Sequence, residues 1–191
     1  MNTEEQTSIT ACLSRRTFLG KALLAGAGLT VLSAPDLAEA ALRTGKRSLS
    51  FYHTHTGKEL QLTYAIGKTY NPLALSRINR YLGDFRTGEV HVMHNGLLDM
   101  LWAIQCRCGK PGVFSVISGY RSPQTNTSLR GKSTGVAKKS LHMEGRAIDV
   151  RFSEAPTKKL REYAVKLQAG GVGYYPSSDF IHLDTGRYRT W

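Results

Sequence analysis

Ala147-Ile148-Asp149-Val150-Arg151-Phe152 is the stretch on which the reading of this chain turns. Ile148, Val150 and Phe152 alternate with Ala147, Asp149 and Arg151, the period of an extended strand with one apolar face. β-Branched Ile and Val fit such a pleated, half-buried surface. Asp149 faces away from the apolar side, so the core does not require it and it is free for chemistry.

Working outward, Phe180-Ile181-His182-Leu183-Asp184 repeats the pattern, with His182 on the face shared by Phe180 and Asp184. Val113-Phe114-Ser115-Val116-Ile117-Ser118 is a third strand that runs into the loop Gly119-Tyr120-Arg121-Ser122-Pro123. Ser48–Tyr52 and Glu59–Tyr64 read as a hairpin turned at Thr56-Gly57-Lys58. Leu75, Ile78, Leu82 and Phe85 recur at helical spacing and predict a helix over 73–86. A second helix is expected from Asn95 as N-cap, carrying Leu97, Leu98, Leu101 and Trp102, and ended by Gly109 to Gly112. A third, capped by Ser153, carries Leu160, Tyr163, Ala164 and Leu167 and stops at Gly170-Gly171. Residues 124–140, rich in Ser, Thr, Gly and Lys, read as a long, partly mobile loop, and such loops within a compact domain are usually functional. The pattern predicts an α+β fold with a small antiparallel sheet and helices packed on one side.

His142 lies just before the 147–152 strand, and Gly145 is placed to turn it back towards Asp149. Imidazole nitrogen and carboxylate oxygen suit Zn²⁺, and His182 is the third candidate. Three protein ligands leave a position open for water, whose pKa zinc lowers to about 7. A carboxylate must then take the proton. Asp179, three residues before His182, is the candidate, with Glu144 and Asp184 as rivals. Residue chemistry alone leaves a hydrogen-bonded structural histidine open as the alternative. His53 and His55 read as turn residues, and His91 and His94 lack the acidic or thiol partner of a second metal site.

Ser118-Gly-Tyr-Arg121-Ser, Ser140-x-His142-x-x-Gly145-x-Ala147-x-Asp149 and a late His182, in that order, resemble the D-Ala-D-Ala metallopeptidases, which are related in fold to the Hedgehog signalling domain. The closer resemblance is to the MepK-like (YcbK-like) murein endopeptidases. It spans nearly all of residues 45–191, including Arg86-Thr-Gly-Glu-Val, Gly171-Val-Gly-Tyr-Tyr-Pro176 and Arg189-Thr-Trp191. The resemblance implies zinc held by His142, Asp149 and His182, and Arg121 binding the substrate carbonyl or the developing oxyanion. The dipeptidases of this group carry Glu three residues before the last His; this chain has Asp179.

Ser14-Arg15-Arg16-Thr17-Phe18-Leu19, the apolar run Ala22–Ala34 and Ala38-Glu39-Ala40 read as a twin-arginine signal peptide cleaved after Ala40. The run of about 13 residues falls short of the roughly 20 that a spanning helix needs, which disfavours an uncleaved anchor. Residues 41–191 then form one zinc peptidase domain, exported to the periplasm. The whole chain carries +12; cleavage would remove 3 basic and 4 acidic residues, leaving 23 against 10, about +13. So basic a surface favours polyanions. After export the wall polymer peptidoglycan fits better than nucleic acid, for which no reader motif is present. Cys106 and Cys108, spaced C-x-C, read as reduced or loosely paired thiols near a helix end.

These readings lead to a zinc endopeptidase, acting as a monomer, that cuts peptidoglycan cross-links. The cleaved bond, D,D or L,D, stays open. A D,D-carboxypeptidase or dipeptidase acting on stem peptides, and a wall-binding module with a structural zinc, are the alternatives.

Overall fold

A computed structural model describes residues 45–133 and 135–191. The proposed signal peptide lies outside them. In chain order the elements are β1 (Lys46–His53), β2 (Glu59–Ile66), β3 (Thr69–Tyr70), α1 (Pro72–Tyr81), α2 (Asn95–Cys108), β4 (Val113–Ser118), α3 (Pro123–Lys132), β5 (Ala147–Phe152), α4 (Thr157–Leu167), β6 (Gly171–Tyr175), β7 (Phe180–Asp184) and β8 (Arg189–Thr190), with 3-10 turns at Leu141–Glu144 and Pro176–Ser178.

The α+β reading holds, but the sheet is larger than expected and mixed. Eight strands run in the order β3-β2-β1-β4-β5-β7-β6-β8. The β1–β4 and β6–β8 pairs are parallel. Pairing of β1 with β4 requires α1 and α2 to form the crossover between them, a long-range choice that no local periodicity encodes. β6 escaped the sequence reading because Gly171 and Gly173 break the apolar alternation and Gly171 belongs to the pair Gly170-Gly171 read only as a helix stop.

Period two sorts the strands into two faces. Phe114, Val116, Ile148, Val150, Ile181 and Leu183 are all essentially inaccessible and join one core with Leu97, Leu98, Leu101 and Ile104 of α2 and Leu160 of α4. Helices α2 and α4 touch each other, and α4 lies on β5, β6 and β7. The alternate positions, including Asp149 and His182, are thereby left to the opposite face.

Four helix assignments differ from expectation, the smallest difference being at α2, whose N-cap is His94 with Asn95 its first residue. Residues 124–140 are not loop throughout: α3 occupies Pro123–Lys132, with the Ser122 side chain accepting from Thr125 N at 3.1 Å. A Ser N-cap followed by Pro at the first helical position is a start signal that the polar composition masked. Helix α4 begins at Thr157 rather than after Ser153. Pro156 disfavours helical backbone at Ala155, and Ser153 instead accepts from Val113 N at 2.9 Å. Helix α1 ends at Tyr81, before Gly83, and its N-cap is Asn71.

In the β1–β2 turn, His53 is buried against Phe85, with ring centroids 5.4 Å apart, and His55 stacks on Phe85 at 4.4 Å. His91 stacks on Tyr120 at 4.9 Å. His94 is exposed at the N-cap of α2. None of these four histidines joins a metal-binding group among the described residues. Cys108 is a free thiol in the last turn of α2, raised in pKa by burial.

Candidate metal centre

Asp149 and His182 are direct cross-strand partners in the antiparallel β5–β7 ladder. Their shared parity and register put both side chains on the face away from the helices, within reach of each other. His142 arrives from the 3-10 turn Leu141–Glu144, where the Ser140 side chain accepts from His142 N at 3.4 Å. Gly145 ends that turn at φ 64°, and a Cβ there would lie 2.2 Å from the Val92 carbonyl oxygen. Only glycine permits both the left-handed backbone and this approach.

The three side chains that the sequence singled out converge. His182 Nδ1 lies 2.9 Å from Asp149 Oδ1, His142 Nε2 lies 3.3 Å from the same oxygen, and the two ring nitrogens are 3.2 Å apart. Ligands held about 2.0–2.1 Å from a tetrahedral metal stand roughly 3.3 Å from one another. The triangle is within a few tenths of an ångström of that size, so the donor set fits a small metal ion.

Neighbouring acceptors fix which nitrogens face the centre. His142 Nδ1 lies 2.7 Å from the Gly119 carbonyl, which can only accept, so Nδ1 carries the proton and Nε2 presents its lone pair. His182 Nε2 donates to Asp184 Oδ2 at 2.9 Å, which leaves Nδ1 for the metal. The Asp184 carboxylate is fully buried and saturated. It also accepts from Gly171 N at 3.2 Å, Gly186 N at 2.8 Å and the Arg189 guanidinium at 2.7 and 3.0 Å. A Cβ on Gly171 would lie 2.4 Å from both Asp184 and Arg189, so the missing side chain makes room for this pair.

Electrostatics favour the ligating protonation states at two of the three positions. Burial holds the His142 pKa low, keeping its ring neutral. Burial alone would raise Asp149, but the charges and hydrogen bonds of His142, His182 and Arg121 outweigh it and hold the carboxyl well below its ordinary range. His182 runs the other way: burial lowers its pKa, yet the Asp149 and Asp184 carboxylates raise it overall. A metal therefore competes with a proton at His182 Nδ1.

Arg121 lies beside this triangle. Its Nε donates to Ser118 Oγ at 2.7 Å and its Nη2 to Asp149 Oδ2. The backbone around it is pinned by the buried Asp84, which accepts from Ser122 N at 2.9 Å and Arg86 N at 3.0 Å. Arg121, the three converging residues and Asp184 open onto a cleft of about 320 Å³. Lys139, Val136, Tyr175, Phe180 and Trp191 also line it.

The three carboxylates considered for proton transfer sit differently. Asp179 occupies the rim between Ser178 and Phe180 at φ 49°, with its carboxylate on Thr157 Oγ1 and 3.5 Å from Arg151. Glu144 is exposed and pairs with Arg146 at 3.3 Å. Asp184 supports His182. The sequence reading had Asp184 on the correct face, but its part as the anchor of His182 depends on Gly171 and Arg189, which chain order keeps apart from it.

Comparison with known proteins places the whole described chain in one family. Residues 41–191 match the family described as Peptidoglycan L,D-endopeptidase MepK. A Haemophilus influenzae protein named probable peptidoglycan L,D-endopeptidase MepK is 40% identical over 170 residues, covering 88% of this chain and 91% of that protein. The peptidoglycan L,D-endopeptidase MepK of Escherichia coli K12 is 38% identical over 169 residues, covering 88% and 93%. With the match spanning every described residue and both chains nearly end to end, this chain belongs to the peptidoglycan L,D-endopeptidase MepK family of metallopeptidases.

Proposed function

We propose that this chain is an exported, zinc-dependent endopeptidase that hydrolyses L,D peptide bonds in peptidoglycan cross-links. The observation that carries the reading is the triangle of His142 Nε2, Asp149 Oδ1 and His182 Nδ1 beside Arg121, at the floor of an open cleft. Relatives named as L,D-endopeptidases favour the L,D bond over the D,D bond. The twin-arginine motif and the basic charge agree with delivery to, and attraction by, an anionic wall. The domain acts as a monomer.

His142, Asp149 and His182 would hold the zinc. When bound, zinc supplies Lewis acidity and a water acidified to a pKa of about 7. The protein's own groups do the rest. Gly119 O and Asp184 fix the two imidazoles in their ligating tautomers. Arg121, held by Ser118, offers guanidinium N–H groups to the oxygen that becomes negative as the carbonyl carbon turns tetrahedral. Asp179 takes the proton from the attacking water and returns it to the leaving amine. It can do so only after its side chain leaves Thr157 and turns about its Cα into the cleft, where Ser178 and Phe180 already point. Asp184, with five donors on its two oxygens, has no free lone pair suited to that role.

Digestion of purified cross-linked muropeptides, read by mass spectrometry, tests this. Loss of L,D-linked dimers, abolished by chelation and by His142→Ala, is the expected result. Release of free D-Ala alone would establish a carboxypeptidase. Wall binding with no hydrolysis by the unmutated, zinc-loaded protein would establish a binding module.

A further inference from the structure

Trp191 is a large apolar side chain left 46% exposed at the cleft, and the fold holds it there by several independent contacts. Its backbone pairs with β6: Trp191 N donates to Val172 O at 3.3 Å, and Tyr174 N donates to Trp191 O at 3.0 Å. Its indole Nε1 donates to Tyr175 Oη at 2.9 Å. The Arg189 guanidinium lies 4.8 Å from its ring, and the His182 ring lies 5.3 Å away. Gly173 faces His182 across the β6–β7 ladder, and a Cβ there would come within 2.7 Å of the indole. The seat of the ring is thus cut out of the sheet by a missing side chain.

A free surface tryptophan would be mobile or fold onto apolar neighbours. This one is fixed with much of its apolar area still facing solvent. Its ordering cost is met within the fold, so a ligand that covers it gains contact area without further loss of side-chain freedom. The wall continues through Tyr175 and Phe180, which stack with ring centroids 4.6 Å apart. Val136 and the cationic Lys139 also line the cleft. The lining of the groove thus combines aromatic rings (Tyr175, Phe180, Trp191) with cationic side chains (Arg121, Lys139, Arg189) around the ligand triangle.

We propose that Trp191 is a substrate-contacting, specificity-determining residue: its exposed face receives the peptide segment flanking the scissile bond, and Lys139 faces an anionic group of that peptide. The ligand class is an anionic peptide, not the glycan strand. The proposal rests on the peptidoglycan-peptidase reading above and deepens it. The link from Trp191 through Arg189 and Asp184 to His182 places the contact directly beside the reacting centre.

The chain has two tryptophans, and Trp102 is buried in the core, so Trp102→Phe leaves Trp191 as sole indole reporter. The zinc-loaded Trp102→Phe protein is mixed in a stopped-flow fluorimeter with three probes: L,D-linked muropeptide dimers, the same peptide freed of sugar, and an N-acetylglucosamine oligomer. A saturable emission change before turnover with the first two, and none with the sugar oligomer, is the expected result. A response to the sugar oligomer alone, or to no probe, overturns the proposal. In steady state, Trp191→Ala should raise KM about tenfold with kcat within about twofold and zinc affinity unchanged, and Trp191→Phe should fall between. An unchanged KM, or a fall in kcat that tracks lost zinc, would make Trp191 a structural prop of His182 and sink the proposal. If the unmutated protein cleaves no dimer yet sugar-free peptide still changes the emission, the subsite stands and the endopeptidase reading falls.

Discussion

Replacing Asp184 by Asn removes one charge and no volume, and its consequences can be counted from the hydrogen bonds. Asp184 Oδ1 receives Gly171 N, Gly186 N and one Arg189 nitrogen, while Oδ2 receives His182 Nε2 and the other Arg189 nitrogen. An amide presents an N–H₂ at one of these positions. The less costly orientation keeps the three donors on oxygen and sets the N–H₂ against His182 Nε2 and Arg189. Two charge-assisted hydrogen bonds are then replaced by opposed donors. Losses of about 1–2 kcal/mol for each bond give about 2–4 kcal/mol in the metal-free protein, or a Tm lowered by about 5–15 °C for a domain of this size. His182 also loses the acceptor that selects its ligating tautomer. Loss of such a partner costs about 10- to 100-fold in metal affinity. Thermal unfolding of the metal-free variant, and zinc competition against a chromophoric chelator, read the two effects separately. If zinc affinity stays within about twofold of the parent while stability falls, Asp184 is only a structural anchor. If neither changes, the hydrogen-bond count is irrelevant and the account of the site is wrong.

Gly145→Ala forces a side chain onto φ 64° and 2.2 Å from Val92 O. It should cost about 2–3 kcal/mol by denaturant unfolding, whereas Gly57→Ala, at φ 66° with nothing within 4 Å, should cost only about 1 kcal/mol. Asp84 is pushed up by burial but pulled down further by hydrogen bonds from Thr125, Ser122 and Arg86, so its folded pKa is depressed. Its stabilisation is therefore complete above the unfolded carboxyl value of about 3.9 and fades as pH falls through the folded one. Asp84→Asn should accordingly be less stable than the parent at pH 7, with the gap narrowing below about pH 4 in urea melts. Zinc at about 100 times its Kd should add about 2.7 kcal/mol to the stability of the parent and nothing measurable to His182→Ala, read as a Tm shift on metal addition and its reversal by chelator.

Much of the site was legible because its determinants are local. Strand parity alone separated Asp149 from Ile148 and Val150, and His182 from Ile181 and Leu183. Imidazole and carboxylate chemistry made those residues candidate ligands, and the family resemblance selected them over a structural role. Where local signals competed, the reading failed. A Ser-Pro start hidden in polar sequence concealed α3, and a proline at 156 moved the start of α4. Gly171 and Gly173, which make room for Arg189 and Trp191, also hid β6, the first as part of a helix stop and the second by breaking the apolar alternation.

The sequence by itself determined which side chains could carry the chemistry, since residue type and period two need no knowledge of the partner. The tertiary structure decided everything that depends on two segments meeting. His142 and His182 are 40 residues apart, and Asp149 and His182 are 33. Their approach follows from β5–β7 register and from a turn packed against Val92. The same packing assigned the imidazole tautomers through Gly119 and Asp184, turned the Asp179 carboxylate towards Thr157, and seated Trp191 over Gly173. Hydrogen-bond direction and close contact are properties of paired groups in space, and chain order does not encode them.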